Sequence, residues 1–161
     1  MSVVWATNSF NYYMVQYTLS HFKDEYEVSL MSAISDIVGM ALGGILFHKI
    51  GAKLLFVISN GLACVGGIVI LVYGLDHEYG WVLPIVIFAT KFGLASSFSA
   101  VWVSHNAIFP LLFSATALGI VNFLARLAGA MSPLFDVLEE PYPMLSLAIS
   151  SGLASLSSLF L

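Results

Sequence analysis

Long apolar runs alternate with short polar interruptions along the whole chain. Each run lasts about twenty positions and is apolar at odd and even positions alike. About 20 apolar residues are needed for a helix to cross a bilayer, whereas the strands of a membrane barrel alternate in polarity. The pattern therefore predicts six transmembrane helices, at about 3–22, 28–47, 54–75, 82–105, 112–135 and 144–161.

The composition supports the same interpretation. Of the 161 residues, 60% are hydrophobic and 9% are charged, against about 25% charged residues in soluble domains. A water-soluble domain of this size could not hide so much apolar surface, so lipid has to cover it. We therefore expect an all-α membrane protein in which residues 1–161 form a single six-helix transmembrane domain.

Charged residues between the helices segregate to two sides of the membrane. With six crossings, the acidic connections after the first, third and fifth helices fall on one side, and the loop with Lys49 and Lys53 falls on the other. Cytosolic loops are enriched in Lys and Arg. We therefore expect the basic loop and both termini on the cytosolic or matrix side, in either the plasma membrane or the mitochondrial inner membrane.

Several classes of function are disfavoured by the residues present. The formal net charge of −4 argues against nucleic acid as a partner, because nucleic-acid binding needs a basic face. One cysteine, Cys64, and four histidines without metal-ligand spacing predict no metal site and no cofactor. The serines of the last helix have no acid or base beside them, so no catalytic residue is predicted and we expect no enzyme activity.

Three ionisable residues, Asp36, Lys91 and Arg126, fall inside the predicted spans. A charge at the bilayer centre costs about 2.5–3.5 kcal/mol on insertion scales, so it normally faces the bundle interior and finds a partner. All three are expected at a similar depth near the midplane. They predict either a solute- or proton-binding site between helices 2, 4 and 5, or a buried ion pair that fixes helix packing.

Polar and small residues also recur at helical spacing. Asn8, Tyr12 and Gln16 share one face of helix 1, and Asn122 shares a face with Arg126 on helix 5. These side chains could line a cavity or form hydrogen bonds between helices. Two small-residue pairs predict close helix packing, namely Gly39-x-x-x-Gly43 and Ala125-x-x-x-Gly129.

The stretch from Lys91 to Pro133 carries motifs that resemble those of a known family. It resembles the tenth and eleventh helices of major facilitator transporters, in particular the organic cation and anion transporter group. The matching residues are Lys91-Phe92-Gly93, Ile108-Phe109-Pro110, Thr116-x-x-Gly119, Arg126, Gly129 and Pro133. Phe10-Asn11-Tyr12-Tyr13 is similar to the start of the family's seventh helix. The resemblance implies the last six helices of a twelve-helix fold, hence half of a major-facilitator-type bundle.

The sequence departs from the family at charged positions that lock and release the cytosolic gate in those transporters. The family's glutamate before Phe-Pro is Ala107 here, and its following arginine is Ser114. Between helices 2 and 3, His48 and Lys49 stand where the family has aspartate and arginine. Other motif positions match or nearly match: Gly51, Lys53, Pro110, Gly119 and Pro133.

Two functions compete on this basis. The eroded gate favours a non-transporting accessory subunit, a transporter half embedded in a larger membrane complex such as a respiratory-chain assembly. The intramembrane charges favour the alternative, half of an organic-ion transporter that works by alternating access as a homodimer or with a separate N-terminal half. In either case the expected partners are lipid and other membrane subunits or a second six-helix half, with a small organic ion in the second case. A fragment of a longer transporter is a third expectation.

Overall fold

The structure, a computed structural model, describes residues 2–18, 25–73, 82–137 and 142–159. Within these ranges the chain forms six helices joined by short connections. They are α1 (Ser2–Thr18), α2 (Glu25–Ile50), α3 (Ala52–Tyr73), α4 (Val82–Ile108), α5 (Leu111–Asp136) and α6 (Tyr142–Ser158). The prediction of an all-α, six-helix membrane protein is confirmed.

Four of the described helices, α2 to α5, are long and apolar enough to cross a membrane. The helices α1 and α6 have 17 described residues each. The predicted ends at 19–22, 74–75 and 160–161 lie outside the described residues, as do most of the acidic connecting residues. Four such spans in one chain indicate a multi-pass integral membrane protein.

The hydrophobic pattern underestimates the lengths of α2 and α4. The helix α2 continues through His48 and Lys49, because basic residues in a last turn interact favourably with the helix dipole. It ends at Ile50 and is followed by Gly51, whose φ of 81° is a left-handed conformation that glycine adopts without strain. The Gly51 amide bonds to the Phe47 carbonyl at 3.0 Å, closing the last turn.

The six helices pack in two layers. A front row contains α2, α4, α1 and α5 in that order, and a back row contains α3 and α6. The helices α2 and α5 stand at opposite ends of the front row and do not contact each other. The largest fully buried side chains lie between the rows and along α4, including Trp5, Phe56 and Leu94.

Glycine allows α2 to approach α4 closely. A Cβ at Gly39 would lie 2.8 Å from the Ala95 Cβ, and one at Gly43 would lie 2.9 Å from the Ser96 carbonyl oxygen. Larger residues would push the two helices apart. This tight contact brings the polar side of α2 next to α4, where Asp36 meets Lys91.

Candidate functional site on the front face of the bundle

Lys91 and Asp36 meet at the centre of the front row. The Lys91 side chain is fully buried, its Nζ lies 3.7 Å from Asp36 Oδ2, and it donates a hydrogen bond of 2.9 Å to Gln16 Oε1. The ammonium also lies 3.9 Å from the centroid of the Tyr12 ring. The Tyr12 hydroxyl donates a 2.8 Å hydrogen bond to Asp36 Oδ2. This cluster of Asp36, Lys91, Tyr12 and Gln16, the central cluster, neutralises the Lys91 charge by an opposite charge and polar contacts.

The central cluster opens toward the front of the bundle. The Asp36 side chain is 20% exposed, and Gln16 is exposed at the surface of α1. Asp36 Oδ1 itself is buried and has no hydrogen-bond partner within the described part of the chain. A polar surface at this depth is unfavourable against hydrocarbon. Protein or water therefore has to face this side of the row.

Arg126 lies on the far side of α1, at the exposed face of α5. Its Nη1 donates a 3.2 Å hydrogen bond to the Tyr13 hydroxyl. No carboxylate of the described residues lies within ion-pair distance of the guanidinium. Arg126 therefore keeps most of its five N–H donors available to another group.

The guanidinium lines an open cleft of about 210 Å³ between α1 and α5, which we call the Arg126 cleft. The Tyr13 ring can occupy this position only because residue 129 is glycine: a Cβ at Gly129 would lie 2.8 Å from Tyr13 Cδ2. The tyrosine ring can therefore lie against the α5 backbone, with its hydroxyl beside the guanidinium. The cleft is lined by Tyr13, Tyr17, Arg126, Gly129, Ala130 and Pro133.

The three intramembrane charges thus separate into a pair and a single residue. Sequence spacing placed Asp36, Lys91 and Arg126 at one depth, and the structure brings the first two together. Arg126 is not with them, because α1 and α4 stand between α5 and α2 in the front row. Asn122, one turn before Arg126 on α5, is partly buried.

The polar stripe of α1 divides between the front face and the interior. Tyr12 and Gln16 belong to the central cluster, whereas Asn8 is fully buried and donates a 2.6 Å hydrogen bond to Ser97 Oγ on α4. Asn60 on α3 donates a 3.1 Å hydrogen bond to the same oxygen. These bonds connect three helices and favour interhelical packing as the role of Asn8.

A second buried polar connection was not identified from the sequence. Asn11 on α1 donates a 2.8 Å hydrogen bond to Ser151 and accepts one of 2.6 Å from Ser150, both on α6. Asn11 also sits within the family-like Phe10-Asn11-Tyr12-Tyr13 stretch. An asparagine in an apolar span was the available signal, because its amide needs partners.

At the predicted cytosolic end, the family's gate positions carry no described ion pair. His48, Lys49, Lys53 and Ala107 are exposed. Ser114 instead interacts with His105, whose Nε2 lies 3.1 Å from the Ser114 carbonyl oxygen and 3.5 Å from its hydroxyl. His105 is 1% exposed, and its ring lies 5.8 Å from Trp5 and 4.7 Å from Phe109 between centroids.

The remaining motif positions shape α5 and its beginning. Pro110 directly precedes α5, and its carbonyl accepts a 3.0 Å hydrogen bond from the Ser114 amide. Gly119 is exposed, with nothing within 4 Å of an added Cβ. Pro133 lies inside α5 and lines the Arg126 cleft. His105 was not predicted as a functional residue, and only its place near the Phe-Pro motif pointed to it.

The long apolar helices and their packing define an all-α membrane protein of the type that forms half of a major-facilitator bundle. Among curated proteins, its homologues are solute carrier family 22 proteins, the organic cation and anion transporters of the major facilitator superfamily. The resemblance inferred from the motifs is therefore confirmed, and because these homologues are carriers the prediction of a non-enzymatic protein is confirmed.

Three relatives illustrate the similarity. Solute carrier family 22 member 6-A of Xenopus laevis is 30% identical over 161 residues, covering 99% of this chain and 28% of the relative. Member 6 of Oryctolagus cuniculus is 28% identical over 92% of this chain and 27% of the relative. Member 4 of Mus musculus is 22% identical over 96% of this chain and 29% of the relative.

The chain thus spans between a quarter and a third of the length of these relatives. No protein-family model matches the chain. The homologues support a transporter-derived half. They lend no support to an accessory-subunit role or to a mitochondrial location.

Proposed function

We propose that the chain is half of a transporter for small organic anions and that the Arg126 cleft holds the anionic group. One observation carries this proposal: of the two basic residues near the middle of the front-face helices, Lys91 is paired with an acid and Arg126 is not, within the described part of the chain. Asp36 already neutralises Lys91, whereas the described residues place only the Tyr13 hydroxyl in hydrogen-bond contact with Arg126. A guanidinium binds a carboxylate or sulfonate with two parallel N–H···O bonds, which suits an anion entering from the open side.

The shape and lining of the cleft suit a small amphipathic anion. Two tyrosines, Tyr13 and Tyr17, provide ring surface next to the guanidinium. The volume of about 210 Å³ is below the range of about 300–1,000 Å³ typical of sites that enclose a drug-sized ligand. A second wall is therefore needed to enclose the substrate.

Transport by this bundle would follow alternating access, in which two six-helix halves rock around a site between them. The front row presents the polar surface that such a site needs, and the back row presents apolar side chains to lipid. Relatives more than three times as long support the view that one such bundle is part of a larger carrier. Three sources of the second half are open: another copy of this chain, a separate N-terminal half, or a preceding part of a longer transporter of which this sequence is a fragment.

An accessory subunit without transport is the competing interpretation, motivated by Ala107 and Ser114 at the gate positions. The His105–Ser114 contact supports a rearranged cytosolic end that keeps polar interactions between α4 and α5. The homologues are carriers, and this supports the transporter interpretation over the accessory one.

A matched pair of naphthalene ions tests the proposal. We expect the purified chain in detergent to bind 2-naphthalenesulfonate and to discriminate against 2-naphthyltrimethylammonium, which has the same ring and opposite charge. Arg126→Gln should weaken sulfonate binding about 30-fold in isothermal titration calorimetry, because it removes a charge-assisted bidentate contact. Lys53→Gln, at the exposed start of α3, is the control and should leave binding unchanged.

Proteoliposomes then separate transport from binding. Uptake of the sulfonate by the unmodified chain, lost in Arg126→Gln and kept in Lys53→Gln, supports the proposal. Sulfonate binding without uptake would overturn transport and favour the accessory interpretation. Equal binding of both ions, or unchanged binding by Arg126→Gln, would overturn the Arg126 cleft as an anion site.

A further inference from the structure

We propose that His105 is an uncharged latch, which holds the start of α5 against the end of α4 and keeps the predicted cytosolic end of the bundle closed to water. The latch is the hydrogen bond from His105 to Ser114. The inference rests on the proposed function, because a carrier that works by alternating access has to open and close each end in turn. It adds the contact that controls the opening at this end.

His105 joins three helices. Its Nε2 lies 3.1 Å from the Ser114 carbonyl oxygen of α5. A carbonyl oxygen only accepts, so Nε2 carries the hydrogen and donates it. The imidazole also packs edge-on against Trp5 of α1, with 5.8 Å between ring centroids and an interplanar angle of 72°. Because His105 is 1% exposed, this contact is closed to water.

Few other contacts hold α5 to α4. Within the described residues, α5 packs mainly against α1, and its contacts with α4 are sparse. The connection between the two helices consists of Phe109 and Pro110, and no ion pair of the described residues crosses it. Once the His105 bond is broken, the start of α5 can therefore separate from α4 without the loss of a packed helix interface.

A buried hydroxyl beside the latch favours the open state. Ser104 directly precedes His105 and is 1% exposed, and its Oγ has no hydrogen-bond partner among the described residues. A buried polar group without a partner is unfavourable, and water that enters an opened end would supply the partner. The closed arrangement is thus stabilised by one side chain and destabilised by its neighbour, as expected of a region that opens locally.

Cysteine labelling measures the opening. Val101 lies one turn before His105 on α4 and is fully buried, in a cluster that includes Val121 of α5, whereas Ala107 is exposed. In a Cys64→Ser background, Val101→Cys is the reporter and Ala107→Cys is the reference. Both are treated with a charged, membrane-impermeant methanethiosulfonate in open membrane fragments, where the reagent reaches both sides. The ratio of the reporter rate to the reference rate, the labelling ratio, reports how often water reaches the buried side of the latch.

Three variants separate the hydrogen bond from the packing. His105→Phe keeps an aromatic ring beside Trp5 and removes the N–H donor, so the labelling ratio should rise about fivefold, as the loss of one net hydrogen bond predicts. His105→Gln supplies an amide N–H in place of the ring N–H and should restore slow labelling. His48→Phe, at an exposed position, is the control and should leave the ratio unchanged.

Ser104→Ala tests the opposing side chain and leaves His105 in place. Removal of the unpartnered hydroxyl should lower the labelling ratio several-fold, because the closed state then contains no unsatisfied group at this position. An unchanged ratio in Ser104→Ala would overturn this role of the hydroxyl. If His105→Phe does not insert in the membrane, His105→Asn replaces it, because the shorter amide cannot reach Ser114.

Equal labelling ratios in the unmodified chain and in His105→Phe would overturn the latch, and so would a ratio in His105→Gln as high as that in His105→Phe. The labelling does not involve the sulfonate, so the two proposals fail separately. Sulfonate uptake by a chain whose labelling ratio does not depend on His105 keeps the transporter and removes the latch. A ratio that depends on His105 in a chain that neither binds nor takes up the sulfonate keeps the latch and removes the proposed function.

Discussion

Lys91 and Arg126 are both basic residues near the middle of their helices, yet their surroundings differ. Lys91 is enclosed by an acid, an amide and an aromatic ring, whereas Arg126 faces the open side of α5. Burial of a charge is tolerated only with a partner of opposite charge and good hydrogen bonds. The first residue therefore suits a structural role, and the second suits contact with a ligand or another chain.

Loss of the Lys91 ammonium should destabilise the bundle. Lys91→Met leaves Asp36 without its base in a largely buried place, and breaking such a pair costs about 3–5 kcal/mol. We expect a clear drop in the thermal unfolding midpoint of the detergent-solubilised protein. Lys53→Met, at an exposed position, should unfold at the temperature of the unmodified chain.

The double variant Asp36→Asn/Lys91→Met identifies the cause. It leaves no unpaired charge, so its unfolding midpoint should recover part of the loss caused by Lys91→Met. If Asp36→Asn lowers the unfolding midpoint of the Lys91→Met variant as much as it lowers that of the unmodified chain, the two residues act independently. That result would contradict the ion pair.

At the scale of the helices, the number and type of elements were predictable from the sequence, and their order in space was not. The lengths of the apolar runs determine six helices, and counting along a helix gives the depth of Asp36 or Arg126. Counting does not reveal which helices are neighbours. The pairing of Asp36 with Lys91 depends on the contact between α2 and α4, and the separation of Arg126 depends on α1 standing between.

The polar network behind the front row was also only partly predictable. Asn8 was singled out through its spacing with Tyr12 and Gln16, but its partner Ser97 is one of many serines in apolar spans. The sequence contains no periodic feature that distinguishes Ser97 from its neighbours. Its role follows from the packing of α4 against both α1 and α3.

Two glycines of α2 provide a matched test of the α2–α4 contact. Gly39→Ala places a Cβ 2.8 Å from the Ala95 Cβ and 3.0 Å from the Phe92 carbonyl oxygen, and overpacking of this kind costs about 1–3 kcal/mol. Gly44→Ala meets nothing within 4 Å, and alanine is favoured over glycine in a helix by up to about 1 kcal/mol.

We therefore expect Gly39→Ala to lower the unfolding midpoint and Gly44→Ala to keep or raise it. Measurement of both variants by the same thermal unfolding experiment is sufficient. Equal stability of the two variants would show that α2 does not approach α4 as closely as the structure describes.

At the scale of the whole molecule, the bundle has two faces with opposite requirements. The outer side of α3 exposes apolar residues such as Ile58, Val65 and Ile68, which suit lipid. The front face exposes Gln16 and Arg126 and part of Asp36 at depths where hydrocarbon is unfavourable. This asymmetry was expected from the intramembrane charges, and it is the physical reason why we propose a second half that faces an aqueous site.

Water access to the front face is the most direct test, and a pair of cysteines at similar depth measures it. Ala130 lines the Arg126 cleft six residues from the end of α5, and Ile68 lies five residues from the end of α3 on the lipid side. In the Cys64→Ser background, we predict that a charged, membrane-impermeant methanethiosulfonate labels Ala130→Cys rapidly and Ile68→Cys slowly. We also predict that 2-naphthalenesulfonate protects Ala130→Cys. If Ala130→Cys is as inert as Ile68→Cys, the front face is not an aqueous ion path and the transporter-half interpretation is contradicted.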